Sequence, residues 1–246
     1  MITVCILTKN SAASLGRTLE SVRAFPEVVI LDNGSTDKTL AIASAYPNVK
    51  IHQAPFIGFG PLRNKAAELA SNDWILALDS DEIVSPSLAS EIFSLKLEQA
   101  YLIPRHNFYN GKRIRGCGWD PEAVVRLYDR RETRYSDAAV HEALLVSPRQ
   151  AFRLKSPLLH TPYRSTSDFL AKMEHYSTLF AQQYAGKRKS SFAKALGHGA
   201  FAFFKSYLLK RGWLCGKEGF IISFYNGSTA FYKYLKLAEA DKNLSH

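Results

Sequence analysis

Short apolar runs alternating with helix-length segments constrain the first hundred residues more than any other feature of the chain. Ile2–Thr8 is rich in β-branched residues, and 28–31, Val49–Gln53, 74–78 and 101–104 read as further strands. Between them, 14–25 carries Leu15, Leu19 and Val22 at helical spacing, and 61–71 and 85–99 are of helix length. Ser35 is expected to cap another helix, with Asp37 complementing its dipole and Leu40, Ala41 and Ile42 facing inward. Ser85-Pro86 supplies an N-cap and a first-turn proline for the helix to about residue 99. Strands separated by helices predict βαβ units, a mostly parallel sheet covered by helices on both faces, and so a doubly wound α/β class.

From residue 105 to about 154 the pattern changes to short β-like pieces broken by Gly111, Gly116, Gly118 and Pro121, with 124–128 and 140–146 the better strands. Helical periodicity returns at 167–185, 191–211 and 217–239, and Gly186-Lys187-Arg188-Lys189-Ser190 is the candidate hinge.

Charge divides the chain in two. The net charge is +10, yet residues 1–150 hold 17 basic and 17 acidic residues, whereas 151–246 hold 15 and 5 together with 18 of the 30 aromatics. A neutral front and a basic, aromatic back imply two tasks, the second one facing something anionic. Hydrophobic residues at 46% and charged ones at 22% exclude a disordered or fibrous chain. Three cysteines far apart (Cys5, Cys117, Cys215) point to a reducing compartment rather than a disulfide framework or a zinc site. Met1 leads directly into a strand, without a signal-peptide pattern, and no apolar window is long enough to span a bilayer; a cytoplasmic protein is expected.

Ligands of open parallel sheets bind at the carboxyl ends of the strands. There the sequence puts Thr8-Lys9-Asn10, Asp32-Asn33-Gly34-Ser35-Thr36-Asp37 and Asp79-Ser80-Asp81-Glu82. Neither a G-x-G-x-x-G fingerprint nor a Walker lysine motif is present, which removes the best support for dinucleotide and P-loop readings. An Asp-x-Asp after an apolar strand suits a hard divalent cation, Mg²⁺ or Mn²⁺, with ligand phosphates completing its shell. The blander alternative is that Asp79 and Asp81 decorate a turn; Asp32 on a neighbouring strand end weighs against it.

With Arg63-Asn64, these motifs resemble, in order and spacing, the nucleotide-sugar half of family 2 inverting glycosyltransferases of GT-A fold. Gly118-Trp119-Asp120-Pro121, Arg126-Leu127-Tyr128 and Val140-His141-Glu142 resemble the branch of lipopolysaccharide-core glucosyltransferases that add β-glucose to an inner-core heptose. The resemblance covers roughly residues 1–165.

It implies a GT-A domain over 1–165, with a nucleotide-sugar half at 1–104 and an acceptor half at 105–165. Residues 166–246 would form a helical membrane- or acceptor-docking appendage. It also implies a UDP-sugar donor, UDP-glucose, and a lipid-A-linked core oligosaccharide as acceptor. Thr8, Asn10 and Asp32 would serve the nucleotide, Arg63 the base or diphosphate, Asp79 the ribose or the metal, and Asp81 the metal. Glu142 is the expected general base, with Asp120 and Asp137 as fallbacks; a rim salt bridge is its non-catalytic alternative. His141-Glu142 stands where many relatives have Glu-Asp, so their base does not map directly. His160 is a weaker metal candidate. Trp119, His141 and Arg126 are assigned to the acceptor, although Trp119 could equally be core.

Lys187, Arg188, Lys189, Lys194, Lys205, Lys210 and Arg211 interleave with Phe192, Phe201, Phe203, Phe204, Tyr207 and Trp213. This pattern suits a helix in a membrane interface, a peripheral location on the cytoplasmic face of the inner membrane. A solvated charged face and single-stranded nucleic acid are its rivals; nucleic acid is not expected. Two other functions compete with this one. A sugar nucleotidylyltransferase would carry a glycine-rich loop after the first strand, and 8–14 contains no glycine. A non-catalytic membrane- or nucleic-acid-binding module would keep a degenerate glycosyltransferase front.

Overall fold

The computed structural model describes residues 1–137, 143–146 and 149–243. The chain divides into two compact units, Met1–His106 with Glu122–His160, and Asn107–Pro121 with Thr161–His246.

The first unit is built on a mixed sheet. Strands β1 (Ile2–Thr8), β2 (Glu27–Asp32), β3 (Val49–Gln53) and β4 (Trp74–Asp79) run parallel in the order β3-β2-β1-β4. Helices α1 (Ala12–Ser21), α2 (Thr39–Ala43) and α3 (Phe59–Glu68) lie between them in sequence. After β5 (Glu82–Val84) and α4 (Pro86–Phe93), the chain adds β6 (Tyr101–Tyr109), and later β8 (Glu122–Asp129) and β10 (Leu158–His160). The sheet continues β4-β8-β6-β10-β5, with β8 antiparallel to both β4 and β6. The two-residue β9 (Phe152–Arg153) pairs with β6.

Strand side chains alternate between two cores. Val4, Ile6, Val28, Ile30, Leu76 and Leu78 pack with Leu15 and Leu19 of α1 and Leu88 of α4. Cys5, Val29, Leu31, Ile75 and Ala77 pack with Leu62 and Ala66 of α3. Strands buried on both faces therefore read as near-continuous apolar runs. The expected parallel α/β half is present, but beyond β4 the sheet turns antiparallel.

Two local expectations are corrected. Ser35 caps no helix: α2 begins at Thr39, because the Ser35 amide and hydroxyl are donated to Asp32. Asp37 takes the amides of both Thr39 (2.9 Å) and Ala12 (3.1 Å), serving two helix starts. Ser85 does cap α4, accepting from Leu88 N. Of the strand expected at 140–146, residues 140–142 lie outside the described residues, and Leu144 makes an isolated bridge to Tyr135.

The second unit is helical: α5 (Thr166–Tyr184), α6 (Phe192–Phe204) and α7 (Lys217–Asn243). Ser165 and Ser191 cap α5 and α6. The helix expected through 211 ends at Phe204, passes into a π-helical turn at Lys205–Leu209, and is followed by a 3₁₀ turn at Gly212–Cys215. Gly199 and Gly227 let α6 and α7 approach: a Cβ on Gly199 would sit 2.9 Å from Phe231 Cβ.

The boundary expected at 165 also differs. Residues 107–121, including β7 (Lys112–Arg113), belong with the helices: Cys117 N donates to Lys210 O at 2.8 Å and Lys112 Nζ to Cys215 O at 2.7 Å. A Cβ on Gly116 would lie 2.5 Å from Arg211 O. Tyr109, Ile114, Phe169 and Ile222 form the core beneath.

Candidate active site

The carboxyl ends of three parallel strands meet at one level of the sheet. Register pairs Thr8 with Asp32 and Leu7 with Asp79. What the side chains do there differs from residue to residue.

Asp32 is fully buried and works inward. One oxygen accepts from Thr8 Oγ1 at 2.8 Å and Ser35 Oγ at 2.5 Å; the other accepts the amides of Gly34 (3.0 Å) and Ser35 (2.8 Å). Burial favours its neutral form, but these donors outweigh it and hold the carboxyl below its ordinary range. Gly34, at φ 94°, supplies the left-handed turn this wrapping needs. Asp32 thus shapes the 33–36 loop. Asn10, at φ 49°, ties that loop to the end of β1: its Oδ1 accepts from Thr36 N at 2.8 Å and its amide donates to Ser35 Oγ at 2.8 Å. Thr8 is buried against Asp32.

Asp79 is enclosed by arginines. Arg63 and Arg126 each hydrogen-bond one of its oxygens, and Arg105 Nη1 lies 3.9 Å away. Fully buried Glu82 accepts from Arg105 and Arg126, both at 3.0 Å, and Arg105 makes a two-point contact with Glu122 at 3.0 and 2.6 Å. Three guanidiniums thus meet three carboxylates. Burial would raise the Asp79 pKa, yet Arg126 and Arg63 hold it well below the usual carboxylate range.

Asp79 pairs with these guanidiniums and keeps its side chain about one-third exposed. Arg63, 7% exposed, reaches Asp79 with Tyr135 beneath its guanidinium at 5.3 Å. Arg126, 6% exposed, lies within the same network. Arg105 and Glu82 complete the network; Glu82 was legible only as one more strand-end carboxylate, and Arg105 gave no signal.

Asp81 is placed differently. The turn that bears it is pinned through Ser80, whose hydroxyl lies 2.9 Å from Ser11 Oγ and whose carbonyl accepts from Thr18 Oγ1 at 3.0 Å. Asp81, its side chain one-third exposed, directs Oδ2 to 3.6 Å from His160 Nε2, because β10 pairs antiparallel with β5. A carboxylate oxygen beside an imidazole nitrogen fits Mg²⁺ or, better, Mn²⁺, with diphosphate oxygens and water as further ligands. No cluster of three or more potential metal-binding His, Cys, Asp or Glu side chains occurs among the described residues.

In the second unit, Trp119 stacks on Tyr163 with ring centroids 5.8 Å apart and, partly buried, packs on the Tyr109–Phe169 core. Asp120 pairs with Arg113 at 3.1 Å. His141 and Glu142 lie outside the described residues.

Comparison with known proteins bears on what such a site serves. The family model described as "Glycosyl transferase family 2" matches residues 3–116. An uncharacterized glycosyltransferase of Rickettsia felis is 29% identical, over 99% of this chain and 90% of its own length. The lipopolysaccharide core biosynthesis glycosyltransferase LpsC of Rhizobium meliloti is 28% identical, over 94% of this chain and 90% of its own. Among solved structures, S. aureus TarS 1–349 in complex with UDP-GlcNAc superposes with a TM-score of 0.50 at 16% identity, covering 99% of this chain and 90% of that one. That likeness bears on the fold alone, which is GT-A-like.

Proposed function

We propose that this chain, whose residues 3–116 match the glycosyltransferase family 2 model, transfers glucose from UDP-glucose, with inversion, to a heptose of the lipid-A-linked lipopolysaccharide inner core. The observation that carries the donor side is the Asp81–His160 pair at the carboxyl edge of the parallel strands. The acceptor class is supported by similarity to LpsC along nearly the whole chain. Glucose follows from the resemblance of the 118–121, 126–128 and 140–142 motifs to the glucosyltransferase branch.

Asp81 and His160 would hold a divalent cation. Bound there, Mg²⁺ or Mn²⁺ supplies Lewis-acid stabilisation of the charge that develops on the departing diphosphate. Asp32, Thr8 and Asn10 hold the 33–36 loop in one conformation beside that edge, which reduces the ordering cost of binding a nucleotide. Asp79 and its arginines fix the base of the turn that presents Asp81. Glu142 is the proposed base, removing the proton of the acceptor hydroxyl as it attacks the anomeric carbon from the side opposite the leaving group.

A lipid-linked acceptor requires access to a membrane surface, and the basic second unit provides for peripheral attachment at the cytoplasmic face of the inner membrane. No described helix is long and apolar enough to cross a bilayer.

The test is transfer from radiolabelled UDP-glucose to lipopolysaccharide truncated at the inner-core heptose, with the product's anomeric configuration read by NMR. A β-linked glucose, formed in preference to transfer from UDP-galactose or ADP-heptose, is expected. Retention of configuration, or transfer from another donor only, overturns the proposal.

A further inference from the structure

The described residues of the second unit present large apolar side chains that are more than half exposed. At the turns after α6, Leu208, Leu209, Trp213 and Leu214 are between 52% and 75% exposed. Behind them, Leu196, Phe203, Phe220, Phe224 and Phe231 line a groove of about 450 Å³ between α6 and α7. The Phe203, Tyr207 and Phe220 rings, with centroids 5.6–5.9 Å apart, link groove to turns. A patch of this kind on one face marks a docking surface.

Its charge identifies the occupant. Residues 187–217 contain eight lysines and arginines and no acidic residue. Lys205, Lys210, Arg211 and Lys217 are exposed beside the apolar turns, and Lys205 Nζ stands 5.8 Å over the Phe201 ring. A second copy meeting this face symmetrically would oppose like charges. Beside its aromatic rings the patch carries aliphatic Leu208, Leu209 and Leu214, which bases do not stack on and an acyl boundary accommodates. An anionic bilayer satisfies both features at once: cations reside at the headgroups while leucines and tryptophan enter the acyl boundary.

We propose that the 208–214 turns and the adjoining α6–α7 groove insert into the headgroup–acyl boundary of an anionic lipid membrane. The inference rests on the peripheral-membrane reading above and specifies the surface and its depth, partial insertion rather than superficial charge contact. Leu208 and Leu209 close the π-helical turn that follows α6, and both are exposed.

Trp213 is a built-in reporter. The full-length protein is mixed with vesicles of phosphatidylglycerol and phosphatidylcholine in equal parts, with and without brominated acyl chains. Quenching and a blue shift that disappear in Trp213→Phe are expected, as is a fall of about tenfold or more in vesicle affinity for L209E/L214E. The quenching is read in the unmodified protein and does not depend on how the variants fold. Binding of L209E/L214E at wild-type affinity, with Trp213 unquenched, overturns this surface while leaving peripheral attachment in place. Failure of the unmodified protein to bind these vesicles overturns both. A wild-type dimer that L209E/L214E converts to monomer, without vesicle binding, assigns the face to a second copy and also overturns the proposal.

Discussion

Asp81 Oδ2 lies 3.6 Å from His160 Nε2, although 79 positions separate the two in sequence, because β10 returns antiparallel beside β5 with His160 opposite Glu82. Two residues earlier, Asp79 is turned the other way, into Arg63 and Arg126. The two carboxylates of one Asp-x-Asp motif thus have different partners, an imidazole for Asp81 and two guanidiniums for Asp79.

That division predicts opposite phenotypes. Asp81→Asn should keep the melting temperature within a few degrees and lose Mn²⁺-dependent UDP binding. Calorimetric titration with and without Mn²⁺, beside a thermal melt, measures both; undiminished metal-dependent binding would remove Asp81 as a ligand.

Asp79→Asn should instead destabilise the fold, because two guanidiniums less than 10% exposed lose their shared carboxylate. Breaking a pair of this kind costs about 3 kcal/mol, a fall of roughly 6–12 °C in melting temperature. An unchanged melt would show that Arg105 and Glu82 redistribute the charge without penalty.

Acid stability should report on Glu27. Burial alone would raise its pKa, but hydrogen bonds from Lys50, Thr3 and Ser71 outweigh that and bring it down to about 2. A depressed folded-state pKa contributes stability above the unfolded value, about 4.3 for Glu, that is lost as pH falls toward 2. Glu27→Gln should therefore flatten the dependence of melting temperature on pH between about 5 and 2. The same slope in the variant would assign acid lability elsewhere.

Glu142→Gln should leave UDP-glucose affinity near normal while turnover falls by about 10²-fold or more. Unchanged turnover would move the base to Asp120 or Asp137, and of these Asp120 already carries a salt bridge to Arg113.

The parallel half was legible because its strands are apolar runs bounded by polar ends: β1 and β3 match their predicted limits residue for residue. Ser85-Pro86 likewise announced α4, since a cap is a local signal. Ser35 misled for the converse reason: a serine directly after an Asn-Gly pair can bond backward to Asp32 as readily as it caps a helix. The arginine cluster was not legible. Arg126 and Asp79 are 47 residues apart, and only the antiparallel entry of β8 beside β4 brings them together. The place of 107–121 among the helices rests on contacts such as Cys117 N to Lys210 O, which leave no side-chain pattern to read.

The central claim is a metal-assisted UDP-sugar site at the end of β4. Its most direct measurement is calorimetric titration of the full-length protein with UDP and UDP-glucose, with Mn²⁺ present and absent. The account predicts UDP binding that requires Mn²⁺ and is lost together in Asp81→Asn and His160→Ala. UDP binding of equal strength without the metal, or in both variants, would contradict it.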